Sequence, residues 1–276
     1  MAEFSPDKIT GRQNPLVTRL SKLSDKKYRD IEGLFRIDGV KLFSEAVTSG
    51  VKTEYIFVAE SRRSRITDEL QNELYEASGK IIEVSDEVLA KLTDESAPQG
   101  IVAFAKKFDT AELSVPETDT LCAVYLSSVR DPGNLGTMLR SALAFGVDRV
   151  FVSSDCADIY SPKTVRASMG AVFKQSISVV KNDAELVESL SRANCPIYAA
   201  ALRRDAMRLG SFTLPGKVCF AIGNEGHGLS GEFIDMCTGT VFIPMSDGCE
   251  SLNAAMAASV IMWEMQRERL VGEKNN

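Results

Sequence analysis

The sequence predicts an α/β protein of two domains, the second built on a mostly parallel sheet with helices on both faces. Three observations carry this. Apolar, β-branched runs recur along the chain and alternate with helix-length amphipathic stretches. In the second half those runs are apolar throughout, as strands buried on both faces must be. The 276 residues also exceed what one hydrophobic core usually serves, about 100–200 residues.

In the first half the pattern predicts strands at 34–38 (LFRID), 54–59 (EYIFVA), 80–84 (KIIEV) and 100–105 (GIVAFA), with helices over Val40–Ser49 and Asp68–Ala77. This is a small α/β domain, expected to occupy residues 1–107. A polar stretch with Pro116 and a Thr/Glu bias reads as a linker over 108–120. The second domain, 121–276, is predicted to hold strands at 122–129, 149–154, 196–201, 218–223 and 240–244. It ends in a long alanine-rich helix from Ser251 to about Arg269, whose apolar stripe must be buried against the sheet or another subunit.

Composition removes several function classes. No run of about 18 apolar residues is present, and the N-terminus lacks the apolar core of a signal peptide, so a cytoplasmic location is expected. Six cysteines stand singly with no C-x-x-C pair, which predicts reduced, mostly buried thiols and no metal centre. The single histidine, His227, excludes chemistry that needs several imidazoles. A net charge of −6 speaks against bulk binding of nucleic acid, but the charge is segregated. Residues 1–65 carry 13 basic and 9 acidic side chains. Lys8, Arg12, Arg19, Lys22, Lys26, Lys27 and Arg29 face a single acid, Asp25, within one short segment.

Open α/β sheets place ligands at the carboxyl ends of their strands, and three loops there are distinctive. The first is Asp131-Pro-Gly-Asn134-Leu-Gly136-Thr-Met-Leu-Arg140, a turn leading into a helix that Asn134 can cap. The second is Gly223-Asn224-Glu225-Gly-His-Gly228, whose glycines allow close backbone approach but lack the G-x-G-x-x-G spacing of dinucleotide sites. A nicotinamide-dependent dehydrogenase is disfavoured on that ground. The third runs from Ile243-Pro244-Met245 to Ser251-Leu252-Asn253, where Ser251 is the expected helix cap.

Together these three loops resemble the three motifs of the SpoU/TrmH branch of the SPOUT RNA methyltransferases: N-x-G-x-x-x-R at Asn134, Gly136 and Arg140, G-N-E-x-x-G at Gly223–Gly228, and I-P-M followed by S-L-N at 243–253. The likeness covers about residues 122–268. NPLVTRL, GLFRIDGVKLFSEAV and APQGIVAF, within residues 8–106, resemble more faintly the L30e-like substrate-binding domain that precedes the catalytic domain in ribosomal-RNA members.

The resemblance implies a trefoil-knotted catalytic domain, an obligate homodimer, and S-adenosylmethionine as cofactor. It assigns the cofactor to Ala201, Gly223, Asn224, Glu225, Ile243, Pro244, Met245, Ser251, Leu252 and Asn253. The catalytic set it implies is Arg140, Asn134, Glu225, Ser251 and Asn253. The reaction is then methyl transfer to a ribose 2′-hydroxyl of structured RNA, with 23S ribosomal RNA as the expected target and transfer RNA as the alternative. A non-catalytic RNA-binding protein that kept the fold is the competing class. A guanidinium is too weak a base at neutral pH, so Arg140 is expected to orient phosphate and stabilise the developing alkoxide. Arg166 and the basic residues of 8–29 are the expected RNA contacts.

Overall fold

The computed structural model describes residues 8–63, 66–110, 112–113, 115–246, 248 and 251–272. They form two compact units. One comprises the described residues up to Asp109 together with Asp158–Phe173, and the other Thr110–Ala157 with Lys174 onward. The single cut expected at 108–120 therefore differs from the structure by one excursion, since a segment from the second half of the sequence returns to the first unit.

Early in the chain come α1 (Pro15–Ser21), α2 (Lys26–Glu32), β1 (Leu34–Asp38), α3 (Val40–Thr48), β2 (Thr53–Ala59), α4 (Glu60–Arg63), α5 (Asp68–Glu76), β3 (Lys80–Val84), α6 (Asp86–Leu92) and β4 (Ile101–Lys106). There follow β5 (Leu121–Leu126), α7 (Pro132–Ala144), β6 (Arg149–Ser153), α8 (Pro162–Ser168), α9 (Ala171–Lys174), β7 (Ile177–Val180) and α10 (Asp183–Arg192). The chain continues through β8 (Ile197–Ala200), β9 (Met207–Arg208), β10 (Lys217–Ile222), α11 (Gly231–Met236), β11 (Gly239–Phe242) and α12 (Ala254–Gly272).

The first unit is a four-stranded sheet in the order β1-β4-β2-β3, with β4 antiparallel to both neighbours and β3 parallel to β2. Val17 and Leu20 of α1, Leu23, and Val88, Leu89 and Leu92 of α6 bury one apolar cluster with Phe57 and Phe104 of the sheet. The chain stops and starts here are side-chain caps: Asn14 accepts from the Leu16 amide and Asp25 from the Lys27 amide, while Gly33 closes α2 at φ +64°.

The returning segment is bonded into this unit by rings and ions. Tyr160 lies 5.3 Å and Phe173 6.1 Å from the fully buried Phe35 ring of β1. Arg29 donates to Asp158 at 2.7 Å and to the Leu23 and Ser24 carbonyls. This corrects the expectation that Arg29 reaches RNA: it is 2 % exposed and its donors are used internally. Arg166 donates to Asp38 at 2.9 Å, and Asp38 also accepts from the buried Arg36. Arg166, on α8, is thus ion-paired to Asp38 of β1, with its side chain 32 % exposed.

The second unit holds seven strands in the order β7-β6-β5-β10-β8-β11-β9, every pair parallel. One face buries Tyr125, Phe151, Leu186, Leu190 and Phe233 under α10 and α11. On the other lie α7 and α12, linked by Ser141 Oγ and Ser259 Oγ at 2.7 Å and by Gln266 donating to the Gly146 carbonyl. Strand β9 has only two residues, too short to stand out as an apolar run, and β7 (Ile177–Val180) adds a strand that was not among those expected. Cys122, Cys156, Cys195, Cys219 and Cys237 form no disulfide among the described residues, and burial pushes Cys195 up to about 11 and Cys237 up to about 12, so both stay protonated at neutral pH.

Removing one partner of a buried ion pair strands the other. Arg29→Ala is expected to lower the opening free energy of the first unit by about 3–5 kcal/mol, read from hydrogen exchange of the β1 amides. Arg192→Ala, which breaks the exposed pair with Glu188, should change stability by less than about 0.5 kcal/mol.

Candidate active site

Placing β10 between β5 and β8, with β11 beyond, sets the carboxyl ends of these four strands side by side. The loop after β5 opens α7 with Asp131 as its cap, which accepts from the Asn134 amide at 2.8 Å. Asn134 was the expected cap. Relieved of that role, its side chain donates to Glu225 Oε1 at 2.6 Å and accepts from Asn253 Nδ2 at 3.3 Å. Three loops distant in sequence thus meet through one amide.

The loop after β10 is a tight turn closed by paired backbone bonds between Asn224 and Gly228, of 2.9 and 3.2 Å. Its entry is tightly crowded. A Cβ on Gly223 would lie 2.2 Å from the Gly228 carbonyl carbon and 2.4 Å from the Leu229 nitrogen, so no side chain fits. Asn224 holds the turn from outside, donating to the Ser128 carbonyl at 2.8 Å and accepting from the Gly226 amide. The turn leads into α11, capped by Ser230, which accepts from the Phe233 amide.

The loop after β11 leads into α12, where Asn253 accepts from the Ala255 and Met256 amides. Asn253 therefore fills the cap role expected of Ser251. A cavity of about 440 Å³ lies among these loops. Ala201, Gly223, Asn224, Glu225, Ile243, Met245, Ser251 and Leu252 of the expected cofactor set line it, whereas Pro244 and Asn253 do not. Leu209, Ile222, Val241 and Ile261 complete an apolar wall, and His227 also borders the space. These four carry no chemical motif, and only their apolar strand or helix pattern marks them as buried.

Arg140 is exposed on α7 and makes no hydrogen bond or ion pair with the described residues. Its neighbours Leu139 and Ala142 are buried, which fixes the helix and leaves the guanidinium to solvent. Sequence reasoning missed the support behind the β10 loop. Ser128 sits at φ +55°, a left-handed conformation costly for a non-glycine residue, and its hydroxyl donates to Asp155 at 2.7 Å. Asp155 also accepts from Ser153 and Arg130. Partial burial raises its pKa, but the hydrogen bonds from Ser153 and Ser128 and the Arg130 charge outweigh it, so the carboxyl ends below its usual range. No short motif encodes such a chain of contacts.

A family model described as the SpoU rRNA methylase family matches residues 122–263. The chain belongs to the SpoU rRNA methylase family. A second model, an MRM3-like substrate-binding domain, matches residues 14–103. An uncharacterised tRNA/rRNA methyltransferase of Synechocystis is 32% identical over 95% of this chain and 94% of its own. The 23S rRNA (guanosine(2553)-2′-O)-methyltransferase RlmP of Bacillus subtilis is 28% identical, over 94% and 98%. Among solved structures, the SpoU methyltransferase AviRb of Streptomyces viridochromogenes in complex with AdoMet aligns with a TM-score of 0.83 at 26% identity, covering 94% and 99%. The mostly parallel sheet with helices on both faces is therefore a SpoU methylase fold, preceded by a separate substrate-binding domain.

Glycine 223 and Gly226 sit in the same turn under different constraints. Gly223→Ala should cost about 1–3 kcal/mol by forcing the turn apart, in a thermal melt of the full chain. Gly226→Ala adds a Cβ that meets only Asn224 Oδ1 at 3.4 Å and should leave the melt nearly unchanged. A depressed carboxyl stabilises above its unfolded pKa and is lost as pH falls through the folded one. Asp155→Ala should accordingly flatten the acid limb of melting temperature below about pH 4 while leaving the slope between pH 6 and 8 unaltered.

Proposed function

We propose that this SpoU methylase transfers a methyl group from S-adenosylmethionine to a ribose 2′-hydroxyl of 23S ribosomal RNA. One observation carries the reading: Asn134, Glu225 and Asn253, from three separate loops, are hydrogen-bonded together beside a cavity at the strand ends. The named activity of the Bacillus relative supports the ribosomal target, and the AdoMet-bound Streptomyces neighbour supports the cofactor.

The cavity suits that cofactor. Ala201, Leu209, Ile222, Val241 and Ile261 offer an apolar wall for adenine and a methylene stem. Gly223 brings bare backbone to the rim, and Glu225 places a carboxylate where a cationic ligand is welcome and a phosphate is not. Bound S-adenosylmethionine supplies an electrophilic methyl on sulfur, so the protein must bring a hydroxyl into line and ease loss of its proton. Asn134, held by Glu225 and Asn253, orients the ribose. Arg140, exposed and without a hydrogen-bond or ion-pair partner among the described residues, holds a phosphate and stabilises the developing alkoxide. Ser251 borders the same space and completes the catalytic set.

The assembly is a homodimer of catalytic units, with the C-terminal segment threaded as a knot. Supporting the dimer, Leu143 of α7 and Met256, Val260 and Trp263 of α12 are large apolar side chains left 38–59 % exposed on two helices that pack together. A second copy covers that face by two-fold symmetry. The return of the chain after β11 to Asn134 accords with the knot. RNA is gripped by the exposed Arg12, Arg19, Lys22, Lys26 and Lys27 of the first unit. Lys8 is bound to Glu60 and Glu83, so its charge is already compensated. No described helix is long and apolar enough to cross a membrane, and the bacterial relative that acts on 23S rRNA supports a cytoplasmic location.

Arg140→Ala should bind S-adenosylmethionine within about threefold of wild type by calorimetry while methyl transfer falls at least 100-fold, about 2.7 kcal/mol or more. Transfer within threefold of wild type would overturn the assignment. Mapping labelled methyl groups after incubation with total RNA should locate them on 23S ribosomal RNA; label confined to transfer RNA would reject that target. Trp263→Glu should shift the sedimentation coefficient from dimer to monomer.

A further inference from the structure

Between α1 and α2 of the first unit lies a cleft of about 440 Å³ lined by Gln13, Pro15, Thr18, Arg19, Lys22, Tyr28 and Glu32. It is distinct from the cavity of the catalytic unit, and it takes Pro15, Thr18 and Arg19 from the NPLVTRL segment. Its walls are helices rather than loops. Buried Val17, Leu20 and Leu23 fix them from below, and the caps at Asn14 and Asp25 and the left-handed Gly33 fix their ends.

The cleft combines a ring with cations. Tyr28 is partly buried against the core, which anchors the ring. Lys22 Nζ lies 5.4 Å and Lys27 Nζ 6.0 Å from its centroid. Opposite, the Arg19 guanidinium is steered by a second tyrosine: it lies 5.8 Å from the Tyr55 centroid, donates to the Tyr55 hydroxyl at 3.2 Å, and approaches Glu32 at 3.9 Å. Lys22 and Lys27 make no ion pair among the described residues, so their charge is held over a π face rather than neutralised. A cleft of this size accommodates a small ligand. An aromatic face ringed by uncommitted cations matches a flat, electron-poor ring attached to an anion.

We infer that this cleft is a stacking subsite for one unpaired nucleotide of the RNA substrate, its base on Tyr28 and its phosphate between Lys22, Lys27 and Arg19. The inference rests on the RNA-methylating function proposed above and adds a place where the first unit engages a nucleotide outside the double helix. A duplex offers no splayed base and passes the cleft by. Tyr55 is a positioning residue, aligning Arg19 without touching the base. Gln13, Thr18 and Glu32 supply polar atoms at the base edge.

The test uses the full chain and two fluorescein-labelled probes, a decauridylate strand and a blunt 16-base-pair RNA duplex, with binding read by anisotropy. Tyr28→Leu, which keeps apolar bulk against the core, should weaken decauridylate binding about 5- to 100-fold and duplex binding by less than twofold. Tyr28→Phe retains the ring and should stay within twofold of wild type on both probes. Lys22→Ala should reduce the slope of log affinity against log salt by about 0.7 for the single strand. Tyr28→Leu binding decauridylate within twofold of wild type, with the salt slope of Lys22→Ala unchanged, would overturn the subsite. Methyl transfer to ribosomal RNA by the wild type separates the two claims: transfer with an unaffected Tyr28→Leu rejects the cleft alone, whereas a wild type that neither binds the probes nor methylates RNA rejects the function on which it rests.

Discussion

Everything at the catalytic end of the molecule depends on how closely the backbone at Gly223 passes the backbone of Gly228 and Leu229. An added Cβ would come within 2.5 Å of three main-chain atoms, where real atoms do not sit. Because the turn is that tight, the Asn224–Gly228 bonds can close it, and Glu225, itself exposed, reaches the Asn134 side chain. The strand before the turn is held on both sides, by β5 and by β8, so the turn inherits the rigidity of a central parallel strand. A site recognised through main-chain groups and amides needs such a frame, since its precision cannot come from large side chains.

Polar groups around this turn form a graded support. Asn134, Glu225 and Asn253 touch one another, and Asn224 ties the turn to the Ser128 carbonyl. Behind them Asp155 holds Ser128 in a backbone conformation it would otherwise avoid. Strain at Ser128 is thereby offset by charge-assisted hydrogen bonds in a neighbouring loop. None of these contacts requires a histidine, which fits a reaction governed by placement of two partners more than by proton shuttling.

Arginine performs two different tasks in this chain, separated by burial. Arg29 and Arg36 are buried and fully engaged, and with Arg166 they bind β1 and the returning Asp158–Phe173 segment into one core. Their guanidinium forks suit this, because several donors can be satisfied at once. Arg19 and Arg140 are exposed, the one steered by a tyrosine and the other without a partner among the described residues. The basic character of the N-terminal region is therefore smaller at its surface than along its sequence.

Periodicity and motif spacing determined a good deal. Strands such as Leu121–Leu126 and Lys217–Ile222 lie close to where the apolar runs put them, because burial on both faces leaves a nearly uninterrupted apolar signature. The loops bearing Asn134, Glu225 and Asn253 were legible from glycine spacing and strand-end position. What composition could not reveal was which polar atom each residue would spend on the backbone. Asp131 took the cap expected of Asn134, and Asn253 the cap expected of Ser251, and only that exchange freed the Asn134 amide for Glu225. Likewise the burial of Arg29, the adoption of Asp158–Phe173 by the first unit and the Asp155–Ser128 support come from contacts between residues tens of positions apart or more. Local pattern records which face of an element is buried, whereas partners across such separations exist only once the sheets have formed, and it is these partners that decided the site.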